Sequence, residues 1–355
     1  MRQPMGNGGG GVRAPLTGHP AVAVVGATGV VGSEVVRILD ETGFPIRSLS
    51  LYAGARSAGR EVSFRGTSQR VARFDAHAVE KDDIVFCAAG ADVAREVVAA
   101  RRGNTSGVVI DKSSAFRADP SVPLVVPEVN AHALRGHRGV VASPNCVAIP
   151  LSMVLAPLIQ QFAIEHVSVA TYQAASGAGR PLVAELELQR VAAGEGRSPE
   201  AHVYPHVLYD NVVPGGWAVD GDGVMEEEAK VVAETARIFG GIAPSMSVTT
   251  VRVPVGIGHA MAIFLRGATP FSRSDVAACL SSADGVRVVD DPALNQYPTP
   301  SQARSVDEVL VGRIHESSND PCCIALFVAS NNLRRGAALN ACNIAVALQG
   351  ANASR

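Results

Sequence analysis

One cysteine stands at a junction between two kinds of sequence. Cys146 lies in Ser-Pro-Asn-Cys-Val-Ala-Ile-Pro (143–150), after a short strand-like apolar segment (139–142) and before a long apolar run with helical spacing (149–162). A thiol at the mouth of a helix meets unpaired backbone N–H groups and the positive end of the helix dipole. Both favour the thiolate, which is the nucleophilic form. Position alone also fits a small buried hydrophobe, the usual state of a free cysteine. A second stretch points to phosphate chemistry. The residues Gly26, Ala27, Thr28, Gly29, Val30, Val31 and Gly32 follow a β-branched apolar run (21–25) and open a helical stretch (33–40). Glycines at these places permit a tight turn, let a phosphate approach the helix N-terminus, and let helix and strand pack closely. The expected ligand is a dinucleotide.

The elements that must position these groups alternate. A second strand (49–53) leads into Gly-Ala-Arg-Ser-Ala-Gly-Arg (54–60), with no acidic residue at its end to hold a ribose 2′-hydroxyl. Arg56 with Ser57 suits a 2′-phosphate, which favours NADP over NAD. A solvated surface arginine is the plain alternative. A strand (83–89), a helix (92–101) and a further strand (107–111) continue the βαβ pattern of a parallel sheet. Past Cys146 the pattern changes. An alternating strand (167–173) runs into a small-residue loop (174–180) and a helix (182–193). A Pro- and Gly-rich loop (196–224) precedes a helix (225–239) with an acidic start that complements its dipole. Strands at 247–255, 260–265 and 324–329 and a last helix (332–348) complete an antiparallel-leaning α+β second part. The expected domains are a disordered tail (1–20), a dinucleotide-binding domain (21–146 with 332–355) and a second domain (147–331).

Composition narrows the function classes. A net charge of −2 argues against a nucleic-acid-binding surface. No uninterrupted apolar run reaches the roughly 18 residues of a membrane span, and the Gly- and Pro-rich start lacks the apolar core of a secretory signal. The six cysteines show no CxxC and no paired metal spacing. Reduced thiols in a cytoplasmic protein are the natural reading, with no metal site.

The chain resembles the aspartate-semialdehyde dehydrogenase family from residue 21 to about residue 348. The resemblance rests on Gly-Ala-Thr-Gly-x-x-Gly (26–32), Arg-Ser-Ala-Gly (56–59), Ser-Ser-Ala-Phe-Arg (113–117), Pro-Asn-Cys (144–146) and Tyr-Gln-Ala-x-Ser-Gly-Ala-Gly (172–179). It extends through Glu-Glu-x-Lys (227–230), Arg-x-Pro-Val-x-x-x-His (252–259), Tyr-Pro-Thr-Pro (297–300), Val-Gly-Arg-Ile (311–314) and Asn-Leu-Arg-x-Gly-Ala-Ala (332–338). It implies an N-terminal Rossmann-like NADP-binding domain (α/β) and a C-terminal α+β catalytic and dimerisation domain. The implied reaction is reductive dephosphorylation of β-aspartyl phosphate by NADPH, through a thioester on Cys146, in lysine, threonine and methionine biosynthesis.

The resemblance also implies roles. His259 is the general acid/base, and Gln173 orients the acyl intermediate. Arg252 grips the substrate carboxylate, a task suited to a planar guanidinium fork. Glu227 meets the substrate ammonium, and Arg117, Asn145 and Lys230 meet phosphate. Residues 26–32, Arg56, Ser57, Ser176, Gly177 and Asn332 contact NADP(H). The partners implied are a small-molecule substrate, inorganic phosphate and a second copy of the chain, as a homodimer or a tetramer. Without the resemblance, Glu227 and Lys230 read as a surface i,i+3 pair and His259 as a turn histidine. The chain departs from the family pattern at Lys112, Ser143, Val147, Ala148, His315, Asn331 and Asn343. The alternatives are a paralogous acyl-phosphate reductase with another substrate and a catalytically silent homologue with a binding or regulatory role.

Overall fold

The computed structural model describes residues 18–101 and 107–350. Most of the expected tail, and the last five residues of the first expected domain, lie outside them. Strands β1 (Ala21–Val25), β2 (Ser48–Ala53), β5 (Ala72–Arg73), β6 (Ile84–Cys87), β7 (Val108–Asp111) and β8 (Val140–Ala142) form one parallel sheet in the order β5-β2-β1-β6-β7-β8. β1 and β6 are buried along their whole length, as a sheet covered on both faces requires. Helices α1 (Val30–Glu41) and α2 (Ala91–Ala100) follow β1 and β6. A small hairpin of β3 (Glu61–Phe64) and β4 (Thr67–Arg70) intervenes, in a stretch the sequence pattern leaves unassigned. Its charged and polar residues carry no long alternating pattern.

A short helix α3 (Pro127–Asn130) precedes β8, and α4 (Ala148–Gln161) follows it. α4 is buried on nearly all sides and joins the second core. That core packs on a mixed sheet of β9 (Ile164–Gln173), β10 (Ser245–Arg252), β11 (His259–Gly267), β12 (Val286–Val288), β13 (Val309–Glu316) and β14 (Cys323–Ser330), in the order β10-β9-β11-β14-β13-β12. Its four central strands are antiparallel neighbours, and the two edge strands are parallel to theirs. β12 and β13 are additions to the sequence reading. β13 is masked in sequence by its bulge at Arg313, which has a left-handed φ of 53°.

Helices α5 (Arg180–Gly194), α6 (Glu226–Ile238), α7 (Arg273–Ser281), α8 (Pro300–Ala303) and α9 (Leu339–Gly350) complete the chain. The expected last helix (332–348) is corrected in one respect. Residues 334–338 form a π-helical turn, and the α-helix proper begins at Leu339. The wider turn brings Gly336 against Cys146, so close that a Cβ there would lie 2.9 Å from the Cys146 carbonyl oxygen. α9 then packs into the core of the first sheet.

Candidate active site

Cys146 follows the C-terminal end of β8, the edge of a parallel sheet where open α/β folds place ligands. Its loop is held from three sides. Ser143 N–H donates to the Asp111 carbonyl at 2.8 Å, and the Asn145 side-chain oxygen accepts the Val147 N–H at 2.7 Å. The Asn145 N–H donates to the Glu234 carboxylate at 2.5 Å. Ser143, one of the departures from the family pattern, accepts a hydrogen bond from Asn340 at 2.9 Å and is fully buried.

The facing wall comes from three adjacent strands of the second sheet. The β9–β10 register pairs Gln173 with Arg252, and the β9–β11 register brings His259 one step past the Ala260–Tyr172 pair. Three strand ends therefore present Gln173, Arg252 and His259 together. His259 Nε2 is 3.5 Å from Cys146 Sγ, and its Nδ1 accepts the Ala174 N–H at 3.0 Å. The neutral ring thus carries its proton on Nε2, which points at the sulfur. Gln173 accepts from Arg252 at 3.4 Å and donates to Glu227 at 3.3 Å. Glu227 also accepts from the Asn145 amide at 3.0 Å, which closes the ring around the cysteine. Gly177 leaves room for this cluster, because a Cβ there would come within 2.9 Å of Arg252 and 3.0 Å of His259 Nε2.

The electrostatics correct one expectation. The helix mouth alone does not produce a thiolate. Burial, then the Glu227 carboxylate, push the Cys146 thiol up to about 11, against the pull of Lys112, Arg117 and Arg252. Burial and then Arg252 hold His259 well below its ordinary 6.5. The free site therefore rests as a neutral thiol beside a neutral imidazole. Lys112 donates to the Pro144 carbonyl at 3.2 Å and is half-buried. Burial and Arg117 bring it down to about 8.

The glycine turn fits a dinucleotide. Gly26 has φ +85° and would place a Cβ 2.6 Å from the Ala88 carbonyl oxygen, and a Cβ on Gly32 would lie 2.1 Å from the Gly26 oxygen. Gly29 caps α1 without a side-chain hydrogen bond, so among the described residues the N–H groups of the first helical turn, from Val30 on, face a phosphate position. The N–H groups of Gly26 and Ala27 both donate to Tyr52 O, at 2.9 and 3.0 Å. This seats the end of β2 beside the turn, with Arg56 exposed and Ser57 half-exposed just beyond. Across the cleft, Asn332 donates to Ser176 at 2.9 Å and accepts from Gly258 N–H at 2.9 Å.

The structure thus gathers Cys146, Gln173, His259, Asn145, Glu227 and Arg252 in one hydrogen-bonded group. Arg117 borders it, donating to Ser143 O at 3.0 Å and pairing with Glu234 at 3.2 Å. Lys230 is not tied into the group. It pairs instead with Glu226 at 2.5 Å, and the surface pair with Glu227 does not form, because Glu227 is buried. Two contributors escape a reading by sequence. Glu234 lies seven residues after Glu227, two helical turns on the same face of α6, a spacing that could have drawn notice. Trp217 sits in the long loop, 4.7 Å from the Arg252 guanidinium, with no sequence signal to mark it.

All of the first sheet but β8, and all of the second, fall within two matched families. Residues 21–137 match the semialdehyde dehydrogenase NAD binding domain, and residues 155–335 match the semialdehyde dehydrogenase dimerisation domain. These define a two-domain semialdehyde dehydrogenase. The aspartate-semialdehyde dehydrogenase of Synechocystis sp. is 39% identical over 324 residues, 91% of this chain and 96% of that protein. The chain belongs to the aspartate-semialdehyde dehydrogenase family. Among solved structures, aspartate semialdehyde dehydrogenase II from Vibrio cholerae complexed with ASA matches with TM-score 0.88 at 34% identity, covering 94% of this chain and 98% of that one. The aspartate semialdehyde dehydrogenase with NADP from Candida albicans matches with TM-score 0.71 at 25% identity, covering 94% and 99%.

Proposed function

We propose that this chain catalyses the aspartate-semialdehyde dehydrogenase reaction. In the biosynthetic direction, β-aspartyl phosphate, NADPH and a proton give aspartate semialdehyde, NADP and inorganic phosphate, on the route to lysine, threonine and methionine. The observation that carries the reading is the approach of Cys146 Sγ to His259 Nε2 at 3.5 Å within a ring of Gln173, Glu227 and Arg252.

As the Cys146 sulfur attacks the acyl carbon, the C–O bond to phosphate breaks, the thiol proton leaves with the departing phosphate, and a thioester remains. The leaving phosphate carries its charge toward Arg117, with Asn145 and Lys230 as further ligands. NADPH, when bound, supplies the hydride that reduces the thioester. The Nε2–H of His259 donates to the oxygen that becomes negative at the tetrahedral stage, and collapse returns the sulfur as thiolate. Gln173 orients the acyl group. Arg252 has a buried Nε without a partner among the described residues, a donor ready for the substrate carboxylate. Glu227 receives the substrate ammonium. Residues 26–32, Arg56, Ser57, Ser176, Gly177 and Asn332 hold the cofactor, with Arg56 and Ser57 on the 2′-phosphate of NADP.

The same reading divides the chain into 21–146 with 332–355 and 147–331, supported by the two separate sheets and by α9 in the first core. It makes the protein a cytoplasmic homodimer paired through the second domain. Support comes from the matched dimerisation family and from Phe264, 53% exposed on the second sheet.

The test is phosphate-dependent reduction of NADP with aspartate semialdehyde, beside other aldehydes and a Cys146→Ala variant. Turnover with aspartate semialdehyde that Cys146→Ala abolishes is expected. Activity only with another aldehyde would move the chain to a paralogous reaction.

A further inference from the structure

We infer that Trp217 is a positioning residue for the substrate carboxylate: its indole, with the Tyr204 ring, clamps the Arg252 guanidinium and sets which way its free donors face. The inference rests on the proposed role of Arg252. The guanidinium carbon lies 4.7 Å from the Trp217 ring centroid and 5.7 Å from that of Tyr204. Both are within reach of a cation–π contact, whose strength grows as the pair loses water. Arg252 is 3% exposed and Trp217 is half-buried, so the guanidinium side of the pair is dry. One terminal nitrogen is engaged with the Ala174 carbonyl at 2.9 Å and Gln173 at 3.4 Å. Nε is buried without a partner among the described residues. A fork anchored at one nitrogen can still swivel, and ring contacts remove that freedom.

The loop that carries Trp217 is built for the contact. Val213 and Arg252 exchange both backbone hydrogen bonds, at 2.9 and 2.8 Å, which ties the loop to the end of β10. The Tyr204 hydroxyl donates to the Gly215 carbonyl. Gly216 has φ +93°, and a Cβ there would lie 2.2 Å from the Tyr204 ring, so only glycine lets the chain pass this close to Tyr204 just before Trp217. The segment that looks like featureless loop in sequence is therefore a strap holding two rings against one arginine.

The chain has one tryptophan, which makes the contact optically visible. The experiment combines steady-state kinetics of Trp217→Leu and Trp217→Phe with emission of the unmodified protein on adding aspartate semialdehyde alone. We expect Trp217→Leu to raise KM for the semialdehyde roughly tenfold with kcat within about twofold, and Trp217→Phe to restore most of the loss. KM values for phosphate and NADP stay within about twofold. Tryptophan emission changes saturably with semialdehyde and stops responding in Arg252→Leu. An unchanged semialdehyde KM in Trp217→Leu, an equal rise for all three substrates, or emission blind to the semialdehyde overturns the inference. Should Arg252→Leu also leave KM unchanged, the role of Arg252 itself has failed. A KM that rises in Arg252→Leu but not in Trp217→Leu removes only the clamp.

Discussion

Cys146 Sγ and His259 Nε2 lie 3.5 Å apart, and the far nitrogen of the same imidazole accepts the Ala174 N–H at 3.0 Å. The second contact fixes the first. A ring whose Nδ1 is an acceptor must, when neutral, present Nε2–H to the sulfur, so in the proposed reaction His259 acts as a donor. His259→Ala is expected to lower kcat on the order of 10²–10³-fold with a small change in KM, as for loss of one oxyanion donor. His259→Asn, which can keep an N–H donor, should lose less. Equal losses in the two variants would assign His259 another task.

The resting thiol has a pH signature. Its ordinary value of 9.0 is pushed up to about 11 by burial and then Glu227. Alkylation of Cys146 in the substrate-free protein should therefore keep rising between pH 8 and about pH 10. A plateau below pH 8 would show a thiolate already formed. The raised value also adds stability that is present below pH 9.0 and lost as pH rises toward 11. His259 contributes in the opposite sense. Its folded value lies well below 6.5, so its contribution is lost as pH falls beneath 6.5.

Lys112 is the cation nearest in sequence to the Ser-Ser-Ala-Phe-Arg segment (113–117), and it is brought down to about 8 by burial and Arg117. Its ammonium favours the Cys146 thiolate only while charged. Lys112→Met should slow Cys146 alkylation several-fold below pH 8, with the two proteins converging above it. Identical rates across that range would remove Lys112 from the site's electrostatics.

Glu234 accepts the Asn145 N–H and pairs with Arg117, with side chains only 6% and 11% exposed. Removing one member leaves the other charge buried. Glu234→Ala should cost roughly 3–5 kcal/mol of unfolding free energy by urea denaturation, and Glu234→Gln, which keeps an acceptor, clearly less. A loss below about 1 kcal/mol for Glu234→Ala would mean that Arg117 finds another partner.

Arg56 stands exposed past β2, with no acidic residue in the 54–60 loop. Arg56→Ala should cut the preference for NADP over NAD about tenfold through KM for NADP, with kcat little changed. An unchanged ratio would place the 2′-phosphate elsewhere.

Legibility in the sequence followed the range of the interaction. β1, the glycine turn and α1 are adjacent in the chain, and their pattern carries its own reason. Cys146 was visible for the same cause, at a strand-to-helix junction. What local reading could not supply was the charge around the thiol, because Glu227 and Arg252 arrive from residues far along the chain. Glu234 and Trp217 were silent because their meaning lies wholly in Asn145, Arg117 and Arg252. The departures from the family pattern mostly resolve into structure. Ser143 bonds Asn340, Asn343 bonds Glu128, and Asn331 accepts the N–H groups of Leu333 and Arg334. Of the other departures, Lys112 donates to the Pro144 carbonyl in the Cys146 loop, while His315 bonds the Arg313 carbonyl on the second sheet.

The most direct test is intact-mass and peptide mapping after mixing the protein with β-aspartyl phosphate in the absence of NADPH. One aspartyl group should appear on Cys146, be absent in Cys146→Ala, and disappear with aldehyde release when NADPH is added. An acyl group on another residue, or full turnover by Cys146→Ala, would contradict the account.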